Sequence, residues 1–116
     1  MIGKGKCVYM IHFDRPVGDV SNPHGSAQHY IGYTTDLEAR MKEHRAGNGS
    51  KLMAAVSAQG IAWRVVVVWP GAGRDWERQL KRRKDTPRWC PICGQQEVPH
   101  SEEAILVEKE SEDNEQ

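Results

Sequence analysis

Apolar positions fall into separate blocks along the chain, and each block keeps its own period. Residues 7–13 (CVYMIHF) are rich in β-branched and aromatic side chains and are closed by Asp14-Arg15-Pro16, which predicts a strand. The stretch DRPVGDVSNPHGSAQ is dense in Gly, Pro, Asn and Ser and reads as a long loop, after which a second strand is expected at 29–33. Thr35 and Glu38 have capping-box spacing, so a helix should open at Thr35, with Gly47 ending it. Inside it Leu37, Arg40, Met41 and His44 fall at i, i+3, i+4 and i+7 of one face, and Arg40 and His44 lie roughly 6 Å apart along the axis, able to point into one cleft. Residues 51–58 (KLMAAVSA) predict a short helix stopped by Gly60, and 61–69 (IAWRVVVVW) a central strand apolar on both faces apart from Arg64. Pro70-Gly71-Ala72-Gly73 breaks that strand, and RDWERQLKRRK starts a third helix with Trp76 and Leu80 on its buried side, ended at Thr86-Pro87. The order β-β-α-α-β-α predicts an α/β (α+β) domain, a small three-stranded mixed or antiparallel sheet flanked by helices.

The pattern divides the chain into a domain over 1–89, an extension over 90–100 carrying Cys90-Pro91-Ile92-Cys93, and an acidic tail over 101–116 that should be disordered. Charge follows the same division. Among the 116 residues, 16 Lys plus Arg balance 16 Asp plus Glu, for a formal net charge of zero. Yet residues 97–116 hold eight of those acids and a single base, Lys109, so the tail is strongly negative and the body equally positive. Such a body suits an anionic partner, or a tail that competes for the same surface. No segment approaches the roughly 20 apolar residues of a membrane span, and the start lacks a signal-peptide pattern. Three cysteines do not suggest a secreted disulfide framework. The expectation is a soluble, cytoplasmic protein with no membrane partner.

Five residues invite a chemical reading, and each has an ordinary one. Tyr9 and Tyr30 suit strands for packing alone, Arg40 and His44 suit a helix surface, and Glu77 precedes Lys81 by four residues as in a solvated helix pair. Their combination says more. Tyr30-Ile31-Gly32 is followed by Arg40 and His44, with Cys7-Val8-Tyr9 on the preceding strand and Glu77 on a later helix. This ordered set resembles the GIY-YIG nuclease superfamily. YIGYTTDLEARMKEH is similar to that family's second motif, CVY stands where the family has GIY, and WERQLKRRK resembles its glutamate-bearing helix.

The resemblance implies a DNA endonuclease that hydrolyses phosphodiesters with Mg²⁺ or Mn²⁺. A phosphodiester is anionic and a poor electrophile, so its hydrolysis needs a positioned water, a base and cations beside the developing charge. By the resemblance, Tyr9, Tyr30, Arg40, His44 and Glu77 are the catalytic residues. Glu77 would hold the metal and Arg40 would grip the phosphate with its guanidinium fork. Tyr9 would act as base or orient the water, with His44 accepting its proton, and Tyr30 would complete the cluster. The implied partner is DNA, with a targeting protein as a second candidate because no separate DNA-binding domain is attached.

The sequence departs from that family. The two tyrosine motifs are separated by a longer loop, which either contacts substrate or is an insertion. Tyr33 stands where some members carry a basic residue, and the segment after Glu77 lacks an asparagine that many have. Those departures leave a non-catalytic nucleic-acid-binding module of the same fold as an alternative. Lys42 and Arg45 on the first helix, with Lys81, Arg82, Arg83, Lys84 and Arg88 near the third, are candidate DNA contacts, or else solvated helix-end charges. Cys90 and Cys93 make half of a zinc site, with His100 the nearest further ligand and Cys7 the other thiol. One half-site is not a site: two reduced cysteines, or a zinc completed by a second chain, are the alternatives, and a zinc-stabilised interaction protein is the third functional reading.

Overall fold

The computed structural model describes residues 4–17 and 27–107. Most of the long loop after the first strand, with its His24, and the last nine residues, where tail disorder was expected, lie outside the described residues. The first strand, β1 (Lys4–Phe13), starts three residues earlier than its apolar run because Lys4 pairs with Asp36 of β2 (His29–Asp36). After β2 come α1 (Leu37–Arg45), α2 (Lys51–Ala58), β3 (Trp63–Pro70), α3 (Arg74–Arg83), the one-turn α4 (Thr86–Trp89) and the two-residue β4 (Ile105–Leu106). The sheet is antiparallel with order β2-β1-β3-β4, so the three expected strands gain a short fourth on the edge of β3.

Alternation along β1 decides what each face of the sheet carries. Cys7, Tyr9, Ile11 and Phe13 point to one face and pack with Leu37 and Met41 of α1 and Met53 and Val56 of α2. Val8 and Met10 point to the other and pack with Leu80 of α3, Trp89 of α4 and Cys90. Opposite β1, the pairs Tyr9↔Gly32, Ile11↔Tyr30 and His12↔His29 fix the register, so Tyr30 shares the first face and His29 shares the second with His12. A bulge between Met10 and Ile11 leaves Val66 of β3 as the extra residue, and Val66, Val67, Val68 and Trp69 are buried.

Two helix boundaries differ from expectation. Thr35 remains in β2 and is exposed, and Asp36 caps α1 instead, its Oδ1 accepting from the Ala39 amide at 3.2 Å. The capping box at Thr35 therefore does not form: the strand continues until an acidic side chain can satisfy the first helical amides. Thr86-Pro87, expected to end α3, opens α4, with Pro87 in the first turn where its missing amide costs nothing.

The extension is part of the fold. Trp69 is buried between Trp76 and Trp89, each ring 5.9 Å away, and its Nε1 donates to the Pro99 carbonyl at 2.8 Å. Residues 101–107, placed in the acidic tail by composition, form a turn and β4, and the Val107 amide donates to the Val66 carbonyl at 2.9 Å. No helix among the described residues is long and apolar enough to cross a membrane.

Candidate functional site

The tyrosines and the histidine form one buried group on the α1 side of the sheet. Tyr9 Oη lies 2.8 Å from His44 Nε2, the imidazole tautomer setting which of the two donates. Tyr30 meets the His44 ring edge-on at 5.4 Å and the Tyr9 ring at 6.1 Å. His44 is fully buried, one turn beyond Arg40 on α1. The helical spacing thus brings His44 into the cluster as expected.

Two glycines make room for this contact. A Cβ at Gly32, directly across from Tyr9, would stand 2.5 Å from Tyr9 Oη and 2.8 Å from Tyr30 Cε2, so only glycine lets the two rings close over the strand. A Cβ at Gly49 would run into His44 Nδ1. That nitrogen is buried and has no hydrogen-bond partner among the described residues, and a buried polar atom left unpaired costs about 1–3 kcal/mol.

Burial sets the charge states. Desolvation pushes the Tyr9 phenol well above the usual tyrosine range, the neighbouring Tyr30 pushes it further, and the Arg40 guanidinium pulls it partly back. Desolvation, reinforced by Arg40, lowers His44 to about 4. At neutral pH the pair is therefore a neutral phenol beside a neutral imidazole, with one nitrogen lone pair free to take a proton. Arg40 itself is partly exposed and, among the described residues, forms an ion pair with Glu43 at 3.1 Å, a surface contact of small energy.

Glu77 lies on α3, which packs along the edge strand β2 and turns Trp76 and Leu80 to the second face. Its carboxylate is largely buried, 13% exposed, and is held by Lys81 at 3.2 Å and Arg74 at 3.8 Å. The Lys81 ammonium also lies 5.9 Å from the Tyr30 ring centroid, linking Glu77 to the tyrosines. Arg74 stacks over Tyr33 at 4.7 Å, so a cation from α3 stands beside the position where the sequence lacks one. A lone carboxylate fits Mg²⁺, which keeps most of its waters and takes one or two protein oxygens, provided Lys81 yields its place.

The basic residues are distributed over three helices, α1, α3 and α4. Lys42 is exposed on α1 and Arg45 stacks on Trp63 at 5.3 Å. Arg82, Lys84 and Arg88 are exposed at the end of α3 and on α4, whereas Arg83 is drawn to Asp85 at 2.9 Å. Asp85 is held below the usual carboxylate range by that arginine first.

A second cluster lies on the opposite face, and sequence reading missed half of it. His12, His29, Cys90 and Cys93 bring one ligand atom each to within 4.8 Å of one another. Neither expected partner of the two cysteines takes part: His100 packs on Trp76, 4.3 Å between ring centroids, and Cys7 is buried in the core on the α1 side. Burial lowers His29 to about 4 and lowers His12, whereas burial and the adjacent Cys90 raise Cys93 to about 11. The only sequence signal was positional, since His12 continues the Val8, Met10 face and His29 begins the partner strand.

Comparison with known proteins identifies the family of the chain. No solved structure matches the chain. A UPF0213 protein of Streptococcus sanguinis (strain SK36) is 52% identical over 31 residues, a match covering 27% of this chain and 36% of that relative. The family model of the GIY-YIG catalytic domain matches residues 5–88, which contain both tyrosines, Arg40, His44 and Glu77. With that match over most of its length, the chain belongs to the GIY-YIG family, whose general character is that of nucleases.

Proposed function

We propose that the protein is a metal-dependent DNA endonuclease that hydrolyses phosphodiester bonds at the Tyr9–Tyr30–Arg40–His44–Glu77 cluster. The observation that carries this reading is the buried 2.8 Å contact between Tyr9 Oη and His44 Nε2. A phenol held neutral by burial is a poor base alone, but in the tautomer that leaves Nε2 bare, His44 can accept its proton as Tyr9 takes one from water. Arg40 would bind the scissile phosphate, and Tyr30 would hold the Tyr9 and His44 rings in place. Glu77 would ligate the divalent cation, which when bound supplies positive charge against the oxyanion that develops on phosphorus. The basic residues of α1 and α3 would contact the DNA backbone, and a protein partner is a candidate for target choice.

The test is a panel of duplex, flap, junction and single-stranded DNA with Mg²⁺ or Mn²⁺. Cleavage should be lost in Arg40→Ala and in Glu77→Ala. Both variants cutting as well as wild type would overturn the assignment. A second reading, a binding module without catalysis, is favoured by the two cations already holding Glu77. Salt-dependent binding with no cleavage under any divalent ion is the outcome that selects it.

A further inference from the structure

We infer that His12, His29, Cys90 and Cys93 form a structural zinc site that bolts the C-terminal extension onto the β1–β2 hairpin, on the face of the sheet opposite the tyrosine cluster. The donor set is two imidazoles and two thiols, the composition that selects zinc among common intracellular cations. Its geometry is independent support. Zinc–sulfur bonds of about 2.3 Å and zinc–nitrogen bonds of about 2.0 Å at tetrahedral angles put a sulfur and a nitrogen ligand about 3.5 Å apart. Cys90 Sγ and Cys93 Sγ lie 3.6 and 3.5 Å from His12 Nδ1, and Cys93 Sγ lies 3.4 Å from His29 Nε2. Each separation alone would also suit a thiol–imidazole hydrogen bond; what points to a metal is that two sulfurs and two nitrogens meet at one place, all four within 4.8 Å of one another.

The backbone is built for the same purpose. His12 and His29 are directly opposed on neighbouring strands, with ring centroids 5.4 Å apart, so the register of the hairpin presents both nitrogens to one side. Around the cysteines the chain makes a tight turn, closed by the Gly94 amide donating to the Cys90 carbonyl at 2.9 Å and the Gln96 amide to the Arg88 carbonyl at 3.0 Å. A Cβ at Gly94 would collide with the Arg88 carbonyl, so the turn that aims both sulfurs inward requires glycine there. Cys90 and His12 are buried, while Cys93 is exposed at a groove also lined by His29, Gln28 and Lys84, which provides an entry path.

The site has a structural consequence. Trp89 and Cys90 cover Val8 and Met10, and His29 immediately precedes Tyr30, whose side chain points to the other face. Metal at this point would fix the covering segment of the second core and the strand end that carries Tyr30. The site is separate from the one proposed at Glu77, and it holds whether or not the chain cleaves DNA.

The full chain, purified under reducing conditions, should contain about one zinc per molecule by elemental analysis. After removal of metal, cobalt(II) should give the intense visible bands and thiolate charge-transfer absorption of a tetrahedral site. Replacing a ligand, in Cys93→Ser or His29→Ala, should weaken zinc binding by on the order of 100-fold, while His100→Ala and Cys7→Ala leave it unchanged. The wild-type cobalt spectrum needs no variant to fold. Absence of both zinc and that spectrum would overturn the inference, as would metal loss in His100→Ala or Cys7→Ala but not in His29→Ala.

Discussion

At the scale of single residues, the tyrosine cluster depends on two positions that carry no chemistry. Gly49 is the floor against which His44 rests, and a methyl group there must displace the imidazole. Gly49→Ala should therefore cost about 1–3 kcal/mol of stability by overpacking and reduce DNA cleavage by roughly 100-fold through misplacement of the base. Thermal denaturation and a plasmid-nicking assay measure the two effects, and unaltered cleavage would mean that the Tyr9–His44 contact is not used. The same imidazole sets a pH dependence. Its pKa falls from 6.5 to about 4 on folding, so between those values the unfolded chain binds a proton that the folded chain refuses. The contribution is complete above the upper value and is lost as pH falls toward the lower one. Denaturant titrations across that interval should show a shallower loss of stability in His44→Gln than in wild type, because glutamine cannot take up the proton. His12 and His29 lie on the opposite face of the sheet and are the same in both proteins, so the difference between the two curves isolates His44.

At the scale of elements, the boundary between β2 and α1 separates two capping schemes. With Asp36 as the cap, Asp36→Ala should lower stability by about 1 kcal/mol, and Thr35→Ala, at an exposed strand position, should change it by less than about 0.5 kcal/mol. Equal losses would restore the capping box at Thr35. The comparison also explains which parts of the fold were legible in the sequence. Strand and helix identities followed from apolar periods, because β1, β3 and α3 bury side chains that their own neighbours announce. The cap did not, since Thr35 and Asp36 are adjacent polar residues and only the end of the ladder with β1 decides between them. His44 was legible because it shares one face of α1 with Arg40 and Met41, one turn away. His12 and His29 were not: their meeting depends on hairpin register, and Cys90 and Cys93 reach them from the far side of the chain, after α4 turns back over the sheet. The two-residue β4 is likewise held by pairing to β3, with no apolar period of its own.

At the scale of the whole molecule, the zero net charge conceals two regions of opposite sign, and the structure redraws the line between them. The negative segment begins after Val107, whose amide is bonded to β3, because residues 101–107 carry a turn and a strand of the domain. Residues 108–116 still hold five acids against Lys109. If that segment competes with phosphate for the exposed Lys42, Arg82, Lys84 and Arg88, deleting 108–116 should tighten DNA binding at low salt by about tenfold and leave the melting temperature unchanged. The gain should vanish as added salt screens the charges, with a steeper dependence of log affinity on log salt in the truncated chain because more phosphate contacts then release counterions. Fluorescence anisotropy with a labelled duplex at several salt concentrations reads both quantities. Deleting 101–116 instead removes β4 and should destabilise the domain, so the shorter truncation is the one that isolates charge. Equal affinity and equal salt slope in the 108–116 deletion would show that these acids leave the DNA-facing surface alone.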